Sequence, residues 1–110
     1  MIETVILDYL NGILSVPAYM ETPESKPEKY VIIEKTGSSA ADFIETATFA
    51  IKSHANTLQE TAELNEAVKS AMNNIIVLNQ ISKCKLNSDY NFTDTSKKGY
   101  RYQAVYDVFY

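Results

Sequence analysis

The sequence predicts an α+β domain in which a mostly antiparallel sheet of four to five strands carries two helices packed on one face. Three observations lead there. In two separate stretches apolar residues recur at three- and four-residue steps, the period of a helix with one buried stripe. In two others, towards the C-terminal end, they alternate with polar residues, the period of a half-buried strand. The pieces follow one another as helix, short strand, strand, strand, helix, strand, strand, so two hairpins flank a helix. At 110 residues the chain has the size of one domain, and no linker or internal repeat divides residues 1–110.

The first helix is written by Ile2, Val5, Ile6, Tyr9, Leu10 and Ile13, with Glu3 in the turn where the helix dipole favours a negative charge. Asn11-Gly12 and Pro17 read as its stop signals. Pro17 holds Val16 out of the helical region, so residues 16–20 read as a short extended piece. Residues 21–29 are polar, hold two prolines and show no period, which marks an exposed loop. Residues 29–35 read as a strand and Thr36-Gly37-Ser38-Ser39 as its turn. Residues 42–54 read as the returning strand, with Phe43, Ala47, Phe49 and Ile51 on one face.

Thr57 followed by Glu60 is a capping-box pattern that starts the second helix, which is expected to run to about Asn73. Leu64, Val68, Ala71, Met72 and Ile75 form its stripe, with Leu58 and Ala67 beside it. In residues 83–93, Cys84, Leu86, Ser88, Tyr90 and Phe92 alternate with an entirely polar set, the pattern of a half-exposed antiparallel strand. After a loop over 94–99 the last strand alternates to the final residue. Tyr100, Tyr102, Ala104, Tyr106, Val108 and Tyr110 take one side, and Arg101, Gln103, Val105, Asp107 and Phe109 the other.

A formal charge of −4 weighs against a protein that grips nucleic-acid phosphates, which needs a basic face. No apolar run reaches membrane-spanning length. The acidic start of the chain is unlike a secretory leader, so synthesis is expected in the cytoplasm. The single cysteine, Cys84, excludes an internal disulfide and a cysteine-cluster metal site, and its place on an apolar strand face predicts an inert thiol. His54, the one histidine, has no second metal-binding or nucleophilic residue near it in sequence and reads as a polar strand residue. Glu60, Glu63 and Glu66 read as a solvated helix face. No catalytic set, metal site or cofactor motif emerges, and the expectation is of no enzyme and no cofactor.

What remains is surface. Val105 and Phe109 interrupt the polar side of the last strand, and the run Lys29-Tyr30-Val31-Ile32-Ile33 places apolar residues on both faces of an earlier one. Either a helix or a loop of the same chain covers these groups, or another copy does. Two helices are too few to cover both faces of such a sheet, so Tyr30, Ile32, Val105 and Phe109 are the expected subunit interface.

The order of landmarks resembles that of the small tail-terminator (tail-completion) proteins of long-tailed bacteriophages and prophages. The similarity runs from the N-terminal apolar helix through Val16-Pro17-Ala18-Tyr19 and a proline-containing loop. It continues through the strand Tyr30 to Gly37 (YVIIEKTG), a long strand, the helix from Ala55 and Leu58 on to Val68, and the late Arg101-Tyr102-Gln103. It covers nearly the whole chain and rests on order and spacing. The resemblance implies a homo-oligomeric ring, expected to be a hexamer, in the virion tail. Such a ring caps the tail tube, stops its polymerisation and offers the surface for head attachment. Its implied partners are itself, the major tail-tube protein and head–tail connector or neck proteins, with no membrane and no sequence-specific nucleic acid. Under that reading the loops bearing Glu24, Lys26, Ser38, Ser39, Lys97 and Lys98 face tube or neck. Another neck or minor-tail joining component is the nearest alternative, and a small ligand-binding domain or enzyme using the tyrosine-rich face is one of a different class.

Overall fold

The computed structural model describes residues 1–97 and 99–110. One five-stranded sheet carries two helices. The elements in chain order are α1 (Ile2–Ile13), β1 (Ala18–Tyr19), β2 (Tyr30–Ala41), β3 (Ile44–His54), α2 (Leu58–Asn73), a 3₁₀ turn (Ile75–Val77), β4 (Lys83–Asn91) and β5 (Arg101–Phe109). The strand order is β1-β2-β3-β5-β4, with β1 parallel to β2 and every other pair antiparallel. The α+β class, the mostly antiparallel sheet and the two helices on one face are as the sequence predicts.

One core explains the arrangement. Ile2, Ile6 and Leu10 of α1 and Leu64, Val68, Ala71 and Met72 of α2 join Val31, Ile33, Ala47, Phe49, Ile51, Ala104, Tyr106 and Val108 of the sheet. The sheet members all point to one face, because side chains alternate along a strand and cross-strand partners share a side. Ile33 pairs with Ile51 and Ile51 with Ala104; Phe49 pairs with Tyr106 and Ala47 with Val108. The helices are tied to each other and to the sheet by polar contacts as well. Tyr9 donates its hydroxyl to the Ala71 carbonyl at 2.7 Å, and Lys35 pairs with Glu3 at 3.1 Å. Thr57 caps α2, its hydroxyl oxygen accepting the Glu60 N–H at 3.1 Å, as the capping pattern predicts.

Several boundaries differ from the sequence reading. Asn11-Gly12 does not stop α1, which continues to Ile13. Asn11 is instead a brace: its side chain accepts from the Ala18 N–H at 2.8 Å and donates to the Ala18 carbonyl at 3.1 Å, holding β1 in place. Ile75, expected on the stripe of α2, is buried from the 3₁₀ turn, and Leu58 and Ala67 are exposed.

The largest correction concerns the first hairpin. Thr36, Gly37, Ser38 and Ser39 form no turn. They lie within β2, and a bulge between Lys35 and Gly37 shifts the register by one residue. The reversal is the two-residue link Asp42-Phe43, with φ of 51° and 66°. Positive φ at both positions is the signature of a type I′ hairpin turn, whose twist matches that of the strands. Phe43 is therefore at the tip, fully exposed, and not on the core face. Residues 34–45 are all exposed, and those beyond the Ser39–Thr46–Phe109 row, residues 40–45, form an arm projecting from one end of the sheet. With it the molecule measures 45 × 25 × 24 Å.

A second bulge, between Leu86 and Ser88, breaks the long alternation expected over residues 83–93. Cys84 and Leu86 pair with Val108 and Tyr106 on the helix side. Beyond the bulge Asp89 pairs with Ala104 on that same side, while Tyr90 turns to the opposite face beside Gln103. The last strand is held to its end: the Tyr110 N–H donates to the Glu45 carbonyl at 2.9 Å.

Candidate interaction surface

Cross-strand pairing decides which residues share the helix-free face. Tyr30 pairs with His54, and His54 with Arg101; Ile32 pairs with Lys52, and Lys52 with Gln103. Glu34 pairs with Ala50, and Ala50 with Val105; Thr48 meets Asp107, and Thr46 meets Phe109. All four expected interface residues, Tyr30, Ile32, Val105 and Phe109, thus lie on this one face, away from both helices.

They are not equally available. Val105 and Phe109 are half-buried, with Lys83 Nζ 5.4 Å above the Phe109 ring. Tyr30 and Ile32 are buried within the subunit itself. The Tyr30 ring stacks on the His54 imidazole at 4.6 Å and 2° and meets the Tyr19 ring edge-on at 6.5 Å. Ile32 lies in the row between Tyr19 and Lys52. Neighbouring side chains on the same sheet thus shelter Tyr30 and Ile32 within one subunit, where the sequence reading expected a second copy to cover them.

Between these residues the face is laced with polar contacts. Lys52 pairs with Glu34 at 2.8 Å, Thr48 donates to Asp107 at 2.8 Å, Asn87 donates to the same carboxylate at 3.2 Å, and Gln103 donates to the Tyr90 hydroxyl at 2.7 Å. A fully apolar docking face is thereby excluded. The apolar part is divided, Ala50 with Val105 on one side of the hydrogen-bonded Thr48–Asp107 row and Phe109 on the other.

The two borders of the sheet are open. β1 pairs with β2 at Val31 and Ile32, so the outer edge of β2 beyond Ile33 presents unpaired backbone groups out to the arm. β4 is the opposite border. Because neighbours in the order β2-β3-β5-β4 alternate in direction, the two borders run antiparallel to each other.

At the end of the sheet opposite the arm, a cleft of about 300 Å³ is lined by Lys26, Pro27, Glu28, Tyr30, His54, Ala55, Asn56, Gly99 and Tyr100. The His54 pKa is pushed down to about 4, first by burial and then by the positive charges of Arg101, Lys52 and Lys26. The imidazole is accordingly neutral at pH 7. A second cleft, of about 330 Å³, opens between the helices and is lined by Ile13, Leu14, Ser15, Leu64, Ala67, Ser70, Ala71 and Asn74.

The expected tube- or neck-facing residues divide. Glu24 and Lys26 are exposed in the loop after β1, and Lys97 is exposed in the turn between Asp94 and Gly99. Ser38 and Ser39 are residues of β2 on the sheet border, not loop residues. Lys98 lies outside the described residues. Sequence reasoning missed the arm tip. Its signal was the pair Asp42-Phe43 between two runs of strand character, obscured because a type I′ turn normally announces itself with glycine or asparagine.

The two residues weighed for chemistry fall where the sequence puts them. His54 is a stacked strand residue. Cys84 is a half-buried thiol whose pKa is pushed up to about 11, by burial and then by Asp107. Among the described residues no three His, Cys, Asp or Glu side chains come together to hold a metal, and no helix is long and apolar enough to cross a membrane. No protein-family model matches the chain, and no curated protein matches it.

Proposed function

We propose that the chain is a structural subunit of a long-tailed phage or prophage particle. It assembles with copies of itself into a ring that caps the tail tube, stops tube growth and offers a surface for head attachment. A related role as another neck or minor-tail joining component uses the same surfaces. The observation that carries the reading is the one-sided sheet. Both helices pack on a single face, and the other bears the half-buried Val105 and Phe109 between two open, oppositely directed borders.

Such a subunit is built for a head-to-tail contact. A ring needs two different patches on each copy, one meeting the other on the next, with rotation closing the circle. The β2 and β4 borders, the arm and the clefts are all distinct surfaces of one molecule, so the material for a heterologous contact is at hand. The work done is interface matching, with no bond made or broken.

The test is to add the purified chain to polymerising tail-tube protein encoded by the same genome and to examine tubes by negative-stain electron microscopy. Shorter tubes, each with added density at one end, support the reading. Tubes of unchanged length with bare ends contradict it. The aromatic cleft around Tyr30, His54 and Tyr100 favours one other reading, a small-ligand site. At about 300 Å³ it sits at the lower end of the range for such sites. Calorimetric titration of the chain with aromatic carboxylates separates the two.

A further inference from the structure

The arm tip is a conformational and solvation anomaly. Phe43 holds φ at 66°, a region that a bulky side chain occupies only at a cost of about 1–2 kcal/mol. Its ring is fully exposed and Ile44 beside it is half-exposed. Glycine or asparagine would suit this turn better on both counts. Neither the backbone nor solvation within one subunit favours phenylalanine there, so the ring is placed to bury itself against something else.

We infer that the arm tip of one copy, residues 41–45, docks in the aromatic cleft of the next, with Phe43 inserted beside the stacked Tyr30–His54 pair and Tyr100. This rests on the reading of the chain as a self-assembling ring and names the contact that closes it.

Two features select this occupant. The first is charge. The tip carries Asp42 and Glu45, and the cations whose field reaches His54 are Arg101, Lys52 and Lys26. Glu28 also lines the cleft, and Glu34 already pairs with Lys52, which leaves Lys26 as the lining cation to answer a tip carboxylate; Arg101, outside the lining, with its Nε donating to the Phe92 carbonyl and its guanidinium over the Phe92 ring, adds its field alone. The cleft between the helices has no cation among its lining residues and offers no such match. The second is position. Tip and cleft are at opposite ends of the β2–β3 pair, where β3 runs from Ile44 beside Phe43 to His54 in the cleft floor. A contact between them joins two different patches: repeated head-to-tail it closes a ring, and made reciprocally it closes a two-fold dimer, so the number of copies in the assembly tells the two apart.

The experiment is light scattering over a concentration series on the wild type, Phe43→Gly, Asp42→Lys, Lys26→Glu and the Asp42→Lys/Lys26→Glu double variant, with thermal melts of each. Phe43→Gly removes the ring and relieves the turn, so its melting temperature is expected to equal or exceed that of the wild type. Its assembly midpoint is expected to rise about tenfold or more, the loss that follows truncation of a buried aromatic anchor. Each charge reversal alone weakens assembly, and the double variant recovers it. Wild-type multimers that persist in Phe43→Gly overturn this contact and leave the ring reading standing. So do multimers that Phe43→Gly destroys but Lys26→Glu leaves intact, since the tip would then dock elsewhere. A wild type that stays monomeric throughout overturns the ring reading and this contact together.

Discussion

The Tyr30 and His54 rings lie parallel, 4.6 Å apart, on neighbouring strands at the end of the sheet farthest from the arm. This stack shelters Tyr30 without help from a second copy and forms the floor of the aromatic cleft. It also sets how the fold responds to acid. The imidazole is held neutral by burial and by Arg101, Lys52 and Lys26 around it, its pKa depressed from 6.5 to about 4. Below pH 6.5 the unfolded chain takes up a proton at this residue that the folded chain refuses until about pH 4. The stability that the neutral imidazole confers is therefore complete above pH 6.5 and lost as the pH falls towards 4. His54→Phe keeps a ring to stack on Tyr30 and removes the titration. Thermal melts at pH 7 and pH 4.5 are expected to show a smaller acid-induced drop in this variant than in the wild type; equal drops contradict the assignment.

Tyr106 is the largest fully buried side chain, on β5 under α2, and its hydroxyl has no hydrogen-bond partner among the described residues. Burial pushes its pKa up to about 12. Removing the ring and removing the hydroxyl should therefore have unlike effects. Tyr106→Ala is expected to cost about 3–5 kcal/mol in denaturant unfolding. Tyr106→Phe is expected to be neutral or mildly stabilising, because no bond is lost with the hydroxyl. Tyr102, half-buried on the same strand, should be less costly than Tyr106 on truncation to alanine.

Asp89 faces α2 because of the β4 bulge. It accepts from Asn65 Nδ2 at 3.0 Å and from Lys69 Nζ at 2.9 Å. Asn65 is buried, and this contact raises the pKa of Lys69, with a smaller contribution from Glu66. Asp89→Ala strands the buried Asn65 amide and leaves Lys69 with Glu66 alone, and is expected to destabilise by about 1–3 kcal/mol. The nearby exposed Glu66→Ala should cost far less, since a solvent-facing pair one turn apart on a helix contributes little. Urea titrations of the two variants check the ranking.

Val105→Asp and Phe109→Asp place a charge on the helix-free face at half-buried positions outside the main core. Both variants are expected to fold, with circular-dichroism spectra like the wild type, and to assemble at higher concentrations than it does. Loss of the folded spectrum in either would assign that side chain to the interior of the subunit.

The sequence carried the layout of the fold because the layout follows from periodicity. Ile2, Ile6 and Leu10, the run from Leu64 to Met72, and the alternation of Ala104, Tyr106 and Val108 each state which face is buried, and the core uses those faces. Phase errors came from the bulges. One inserted residue near Asn87 reverses inside and outside for the rest of β4, and no local residue preference announces it; the bulge at Thr36 stands beside Gly37, which read as a turn although glycine also marks bulges within strands. Composition misled twice. Gly37-Ser38-Ser39 has turn chemistry but sits in a strand, and Asn11-Gly12 has stop chemistry but Asn11 works as a clamp on Ala18. The four expected interface residues share a face because of the register across β2, β3 and β5. That Tyr30 and Ile32 are already sheltered depends on β1 and His54 packing beside them, which one-dimensional patterns do not contain.

Light scattering of the wild-type chain across micromolar to millimolar concentrations, with negative-stain images of the largest species, tests self-assembly most directly. The account predicts a closed ring of more than two copies with a central opening, formed cooperatively as concentration rises. A molecule that remains monomeric throughout, or that stops at a two-fold dimer, contradicts it.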